Sequence, residues 1–292
     1  MAIRRRNFLA ATAALAAGSP HGLSAGISTP GSARKLKLGL VTYNWGKEWD
    51  VPTVIRNCEA TGFAGVELRS THKHGVEITS DRNRRLNVRR QFEDSNIELV
   101  GLGSACEYHA VDPAVLKKNI DETKQFVKLC RDVGGSGVKV RPNGLPKERS
   151  VEQTLEQIGQ SLNEVGRFAA DYGIQIRVEV HGRGTNEIPH MQKIFDIADN
   201  PNVVVCWNCN PTDLAGDGLV ANYRSLQHRM GTIHIHDLRN SKYPWTELFP
   251  LLQETTAESF TGWALLEEGA VPQDIVPAMK ENHEQWKVLT AS

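Results

Sequence analysis

The chain has 292 residues, 40% of them hydrophobic, and its 34 Lys and Arg balance 34 Asp and Glu. That is enough apolar material for one large α/β domain or two small ones. A neutral balance leaves no electrostatic footprint for nucleic acid or an anionic membrane surface, and five cysteines, an odd number, argue against a disulfide scaffold.

Residues Met1–Ser32 read as a leader. Arg5-Arg6-x-Phe8-Leu9 precedes the short Ala-rich run Ala10–Ala17, then small residues with Gly18 and Pro20. A basic start, a short apolar run and a small-residue exit make an export signal too short to span a membrane stably. The paired arginines resemble a twin-arginine (Tat) signal, so the expectation is an exported, periplasmic protein. A disordered basic tail is the alternative.

From Leu36 onward, strands and helices alternate. Leu36–Asn44 reads as a strand, Val51–Gly62 as a helix ending on a glycine cap, Gly65–Leu68 as a strand and Asp81–Ser95 as a basic helix. Ile97–Ser104 is a strand; Asp112-Pro113 opens a long helix to Val133, with Asp at the N-cap and Pro in the first turn. Gly137–Pro142 is a strand, and Ser150 with Gln153 caps a helix to Tyr172 that Gly173 ends. Ile174–Gly182, Val203–Asn210, Thr232–Asp237 and Trp263–Glu268 are strands, separated by helices at Ile188–Asp199, Leu219–Met230 and Trp245–Thr256. Ile275–Leu289 is the last helix. Eight such units over residues 36–292, without a linker, predict one α/β domain, a (β/α)8 TIM barrel. No G-x-G-x-x-G or P-loop pattern is present, so a dinucleotide or P-loop reading lacks its main feature.

The strands also assign faces. In Ile174–Gly182, apolar residues alternate with Gln175, Arg177, Glu179 and His181. If Val138, Val140, Val178, Val180, Ile233 and Ile235 meet the helices, then Lys139, Arg141, Arg177, Glu179, His181, His234 and His236 face the barrel axis. Glu67 and Arg69 join them from the second strand, Cys206 and Asn208 from the sixth, and Glu267 from the eighth with Trp263 and Leu265. Buried carboxylates are costly without partners. Polar residues at the C-terminal ends of several barrel strands mark an active site.

These residues bring the xylose isomerase-like sugar isomerase/epimerase barrels into view. Glu179-Val-His181 resembles that family's E-x-H, His234-Ile-His236-Asp237 is similar to its H-x-K-D, Glu267 stands at its eighth-strand Glu, and GVELR (Gly65–Arg69) resembles its second-strand motif. The resemblance implies one divalent cation (Mn²⁺, Co²⁺, Mg²⁺ or Zn²⁺) held by Glu179, Asn208, His234 and Glu267, with Glu179 and Glu267 as paired acid/base. Asn208 departs from the family's usual Asp, lowering the ligand charge from −3 to −2, so a hard cation should bind more weakly. His181, His236, Lys139, Arg141, Glu67 and Trp45 are the candidate substrate contacts.

Blander readings stand beside these. Glu179 would instead pair with Arg177 or Lys139, Glu67 with Arg69, and Lys139 and Arg141 would form a core charge network. Glu268 is the register alternative to Glu267, and His236 to His234. His72, Lys73, His74, Tyr108 and His109 are candidates to roof the mouth, and Trp45 and Trp207 to stack on a sugar. Cys206-x-x-Cys209 continues a strand, which argues against a redox motif. The expected function is an exported sugar or keto-sugar isomerase or epimerase with a small-molecule sugar as partner, no nucleic acid and no stable membrane span; a homo-oligomer stays open. A lyase or hydratase on keto-glycosides, and a non-catalytic sugar-binding barrel with a degenerate metal site, are the alternatives. A related abasic-site nuclease would need more charged ligands and a basic face.

Overall fold

The computed structural model describes residues 35–291; the leader and its export signal lie outside the described residues. Eight parallel strands close into a barrel in chain order. They are β1 (Lys37–Val41), β2 (Gly65–Arg69), β3 (Glu98–Glu107), β4 (Gly137–Arg141), β5 (Gln175–Glu179), β6 (Val203–Trp207), β7 (Met230–Ile235) and β8 (Trp263–Leu266). The helices are α1 (Val51–Thr61), α2 (Arg82–Glu93), α3 (Pro113–Val133), α4 (Val151–Ala170), α5 (Ile188–Ile197), α6 (Gly218–Leu226), α7 (Trp245–Gln253) and α8 (Ile275–Thr290). Closure comes from β1, which pairs with β2 through Gly39–Gly65 and with β8 through Leu40–Leu266.

Local chemistry sets the helix ends. Asp50, Asp81, Asp112 and Ser150 each accept a backbone N–H of the first turn, and Ser150 with Gln153 completes a capping box. Gly62 ends α1 at a φ of 81°, a conformation that side chains resist. The expected helix over Leu219–Met230 is shorter: α6 stops at Leu226, a 3₁₀ turn covers Gln227–Arg229, and Met230 already belongs to β7. Sequence spacing alone does not separate a last helical turn from a tight 3₁₀ connection.

The main core lies between barrel and helices. Val138, Val140, Val178, Ile233 and Ile235 are fully buried there with Ile158, Leu162 and Met191. A separate small cluster of Val41, Val100, Trp263 and Leu265 fills the barrel axis. Inward glycines make room for these side chains, since a Cβ on Gly39 would meet Leu265 and one on Gly65 would meet Trp263. Among the described residues no helix is long and apolar enough to cross a membrane.

Candidate active site

The upper half of the barrel interior holds a buried polar layer. Glu67 of β2, Lys139 of β4, Glu179 of β5 and His234 of β7 are each at most 2% exposed. Glu267 follows β8 directly and is held in line by its backbone N–H donating to the Ile235 carbonyl at 2.9 Å. The barrel register brings five strands to one point, and His234 is its centre. Its Nδ1 lies 3.3 Å from Glu267 Oε2 and 3.8 Å from Glu179 Oε1, while Nε2 lies 3.4 Å from Glu67 Oε1. The Lys139 ammonium donates to Glu179 Oε2 at 2.7 Å.

The electrostatics follow from that packing. Burial pushes the Glu179 carboxyl up, but Lys139 and His234 outweigh it and hold it well below the usual carboxylate range. Glu267 is likewise raised by burial yet ends lowered, chiefly through His234. Burial depresses Lys139 and His234; Glu179, Glu267 and Glu67 overcome this at Lys139, and Cys206, Glu267 and Glu67 overcome it at His234, so both are raised.

The donor set fits a divalent cation. One ligand atom each from Glu179, His234 and Glu267 lie within 4.8 Å of one another. His234 Nδ1 and Nε2, the Asn208 side-chain oxygen and both oxygens of Glu67 are buried without a hydrogen-bond partner. Buried polar atoms are rarely left so. A nitrogen with carboxylate and amide oxygens suits Mn²⁺, Co²⁺, Zn²⁺ or Mg²⁺.

The other sequence candidates spread out around this layer. His181, half-buried, meets Asn143 Oδ1 through Nδ1 at 2.8 Å, and His236 meets the Glu267 carbonyl through Nδ1 at 2.9 Å. Both sit at the mouth. Arg141 donates to Glu107 at 2.5 Å there. Lys139 is not open to a substrate: its backbone pairs with Arg177 in the sheet register, but its ammonium reaches Glu179 and is spent on the ion pair. Glu268, the register alternative, accepts from the Asp237 N–H at 2.6 Å and stays outside the cluster around His234. Arg177 pairs with neither carboxylate; it donates to Gln175, the Val100 carbonyl and Ser136 at 3.1, 3.0 and 2.9 Å. Arg69 does not pair with Glu67 either, and lies 4.8 Å over the Tyr43 ring.

Both sugar platforms need correction. Trp45 is 2% exposed, with its indole N–H donating to the Ala270 carbonyl at 2.6 Å. Trp207 is fully buried on the helix side and donates to the Tyr243 hydroxyl at 3.1 Å. Its neighbours Cys206 and Asn208 face the axis, so strand alternation turns Trp207 away. Two of the roof candidates are also structural. Tyr108 is buried against Thr123 at 2.7 Å, and His74 is buried with Nε2 on the Arg69 carbonyl at 2.8 Å.

Sequence reasoning missed Glu107, the partner of Arg141, and Asn143, the partner of His181. Asn143 has φ 62° and Gly144 φ 120°, so the Asn-Gly pair after β4 was the available signal, a left-handed turn that aims an amide back at the mouth. Nearby, a cleft of about 600 Å³ opens among the loops after β3, β4 and β5, lined by His109, Lys147, Arg183 and Glu187.

Comparison with known proteins agrees with this fold. An inosose dehydratase from Mesomycoplasma hyopneumoniae (strain 7448) is 28% identical over 233 residues, covering 72% of each chain. Among solved structures, 3-keto-D-glucoside 4-epimerase YcjR from E. coli superposes with a TM-score of 0.73 at 14% identity, over 87% of this chain and 100% of that one. D-psicose 3-epimerase from Clostridium cellulolyticum H10 gives a TM-score of 0.73 at 14% identity, over 87% and 99%. The IOLI protein, solved with a bound zinc atom, gives 0.73 at 15% identity, over 88% and 98%. The family model described as xylose isomerase-like TIM barrel matches residues 55–287, and the chain belongs to that family.

Proposed function

We propose that this protein is a cation-dependent enzyme that moves a proton on the carbon next to the carbonyl of a sugar or keto-sugar, as an isomerase or epimerase. The observation that carries this reading is the buried layer of three carboxylates around His234, with partnerless polar atoms, at the C-terminal mouth of the barrel. Glu179, Asn208, His234 and Glu267 would hold the cation, which supplies polarisation of the substrate carbonyl and so acidifies the adjacent C–H.

The rest is done by the chain. Glu267, whose side chain is 12% exposed against 3% for Glu179, is the carboxylate open to a substrate. It takes the proton from the carbon, and the electron pair moves onto the carbonyl oxygen. For epimerisation, a proton from the Lys139 ammonium, 2.7 Å from Glu179 Oε2, passes through Glu179 to the other face of the carbon as the electron pair returns from the oxygen, while Glu267 releases the proton it took to solvent and Lys139 is reprotonated from solvent. His181 and His236, set by Asn143 and by the Glu267 carbonyl, bind substrate hydroxyls at the rim, with Arg141 beside them. The leader would export the folded protein to the periplasm; replacing Arg5 and Arg6 with Lys should leave precursor in the cytoplasm, and unchanged export would remove that part.

A dehydratase or lyase is the second reading, favoured by the Lys139–Glu179 ion pair at 2.7 Å. With one Glu179 oxygen so occupied, Glu267 alone can remove the proton and then hand it to a departing β-hydroxyl, which leaves as water while the C=C bond forms. The test is NMR in D₂O with a panel containing D-psicose, D-tagatose, L-ribulose, an inosose and a 3-keto-glucoside. Exchange at the α-carbon with a new epimer supports the first reading, and loss of water supports the second. No exchange on any member would leave a sugar-binding barrel without this chemistry.

A further inference from the structure

Glu67 is buried, negatively placed and unused by the proton chemistry above. It comes from β2, on the opposite side of His234 from Glu179 and Glu267. Its Oε1 lies 3.4 Å from His234 Nε2, while the two other carboxylates approach Nδ1. The two ring nitrogens thus have separate tasks. Both Glu67 oxygens lack a hydrogen-bond partner. Space for the carboxylate is made on purpose: a Cβ on Gly103 would come within 2.9 Å of Glu67 Oε1.

Charge gives a second, independent argument. The cation's own ligands, Glu179 and Glu267 with neutral Asn208 and His234, carry two negative charges, and Lys139 sits 2.7 Å from one of them. Lys139 therefore offsets half of the ligand charge. Glu67 restores it, so that Glu67, Glu179, Glu267 and Lys139 together carry the two negative charges that balance a divalent cation.

We propose that Glu67 is the positioning residue of the cation site: it accepts the Nε2–H of His234, presents Nδ1 to the ion, and supplies the charge that Asn208 lacks. This inference rests on the cation-dependent reading above. Ligating histidines generally donate their other N–H to such an outer partner, whose loss costs about 10–100-fold in metal affinity.

The test uses chelator-treated full-length protein titrated with Mn²⁺ by calorimetry. Glu67→Gln should bind about 10–100-fold more weakly, while Glu67→Asp, which keeps the carboxylate, should retain more affinity than the Gln variant. Asn208→Asp should gain more in the Glu67→Gln background than in the wild type, because only there is the interior short of negative charge. In Zn²⁺-loaded wild type, ¹⁵N NMR of the histidine rings, assigned by loss of the His234 signal in His234→Gln, should show the proton on Nε2. Wild-type affinity in Glu67→Gln, equal gains from Asn208→Asp in both backgrounds, or zinc on Nε2 would each overturn the proposal. If Glu67→Gln does not fold, the Asp variant and the NMR result decide. Wild type that binds no divalent cation would bring down the cation-dependent reading itself, whereas cation binding that ignores Glu67 would sink this inference alone.

Discussion

The lower and upper halves of the barrel interior both bury charge, and they treat it in opposite ways. Below, the Arg177 guanidinium is fully buried yet finds Gln175, the Val100 carbonyl and Ser136. Gly137 leaves room for it, since a Cβ there would lie 2.3 Å from Arg177 Nε. Above, Glu67, Asn208 and His234 are buried with atoms that have no partner. The guanidinium below has its acceptors, whereas the cluster around His234 keeps buried polar atoms free for a ligand. The two halves should therefore answer differently to substitution.

The largest effect should come from the upper half and fall on activity. Glu267→Gln removes the carboxylate proposed to take the substrate proton, and should lower kcat by about 10²–10⁴-fold. Its melting temperature should fall modestly, because His234 holds the Glu267 carboxyl below its usual range and the charge removed is a stabilising one. A variant that loses stability but keeps its rate in the D₂O exchange assay would erase the contrast.

In the lower half the order reverses. Arg177→Met removes three hydrogen bonds donated by a buried guanidinium and should cost on the order of 3–5 kcal/mol in a urea melt, with little change in turnover per folded molecule. Gly137→Ala should be damaging for the same reason, its Cβ driven into the guanidinium. If Arg177→Met folds as well as wild type and loses activity instead, Arg177 belongs with the site.

A third buried group lies outside the barrel and sharpens the rule. Asp213 accepts from the Tyr243 hydroxyl at 2.8 Å, and Tyr243 in turn accepts from Trp207. Burial pushes the Asp213 carboxyl up to about 7 from an ordinary 3.8, against the lowering effect of the Tyr243 bond. The folded state then holds the proton more tightly than the unfolded chain. The stabilisation is complete below the unfolded value and is lost as pH rises through about 7. Relative to Asp213→Asn, wild type should lose on the order of 2–4 kcal/mol between pH 4 and 8. Parallel pH profiles of urea midpoints for the two proteins would contradict this.

The smallest effect concerns Trp45. Its indole N–H ties the loop after β1 to the Ala270 carbonyl, so Trp45→Phe should cost about 1 kcal/mol of stability and leave sugar affinity unchanged. A rise in KM at constant melting temperature would return it to the role of a sugar platform.

How much of this was legible depends on periodicity. In β4, β5 and β7, two-residue alternation separates Val138, Val178 and Ile233 from Lys139, Glu179 and His234, and the structure keeps that separation. Capping residues gave the helix starts at Asp112 and Ser150 for equally local reasons. What alternation does not contain is distance. It put Arg177 and Glu179 on one face but could not say that they occupy different layers, with Arg177 bound to neutral acceptors. It assigned Trp207 no role in the helix layer, although its own parity already turned that ring away from the axis. Glu107, Asn143 and Trp45 lie at or beyond strand ends, where no period constrains direction, and only the assembled mouth shows what they touch.

The central claim is that the upper half of the barrel is built around a cation. Anomalous diffraction from crystals of the chelator-treated protein soaked with Mn²⁺ tests it most directly. The account expects one strong peak about 2.0–2.4 Å from Glu179 Oε1, Asn208 Oδ1, His234 Nδ1 and Glu267 Oε2, with Lys139 still on Glu179 Oε2. A mouth without a peak, or a peak held by other residues, would contradict it.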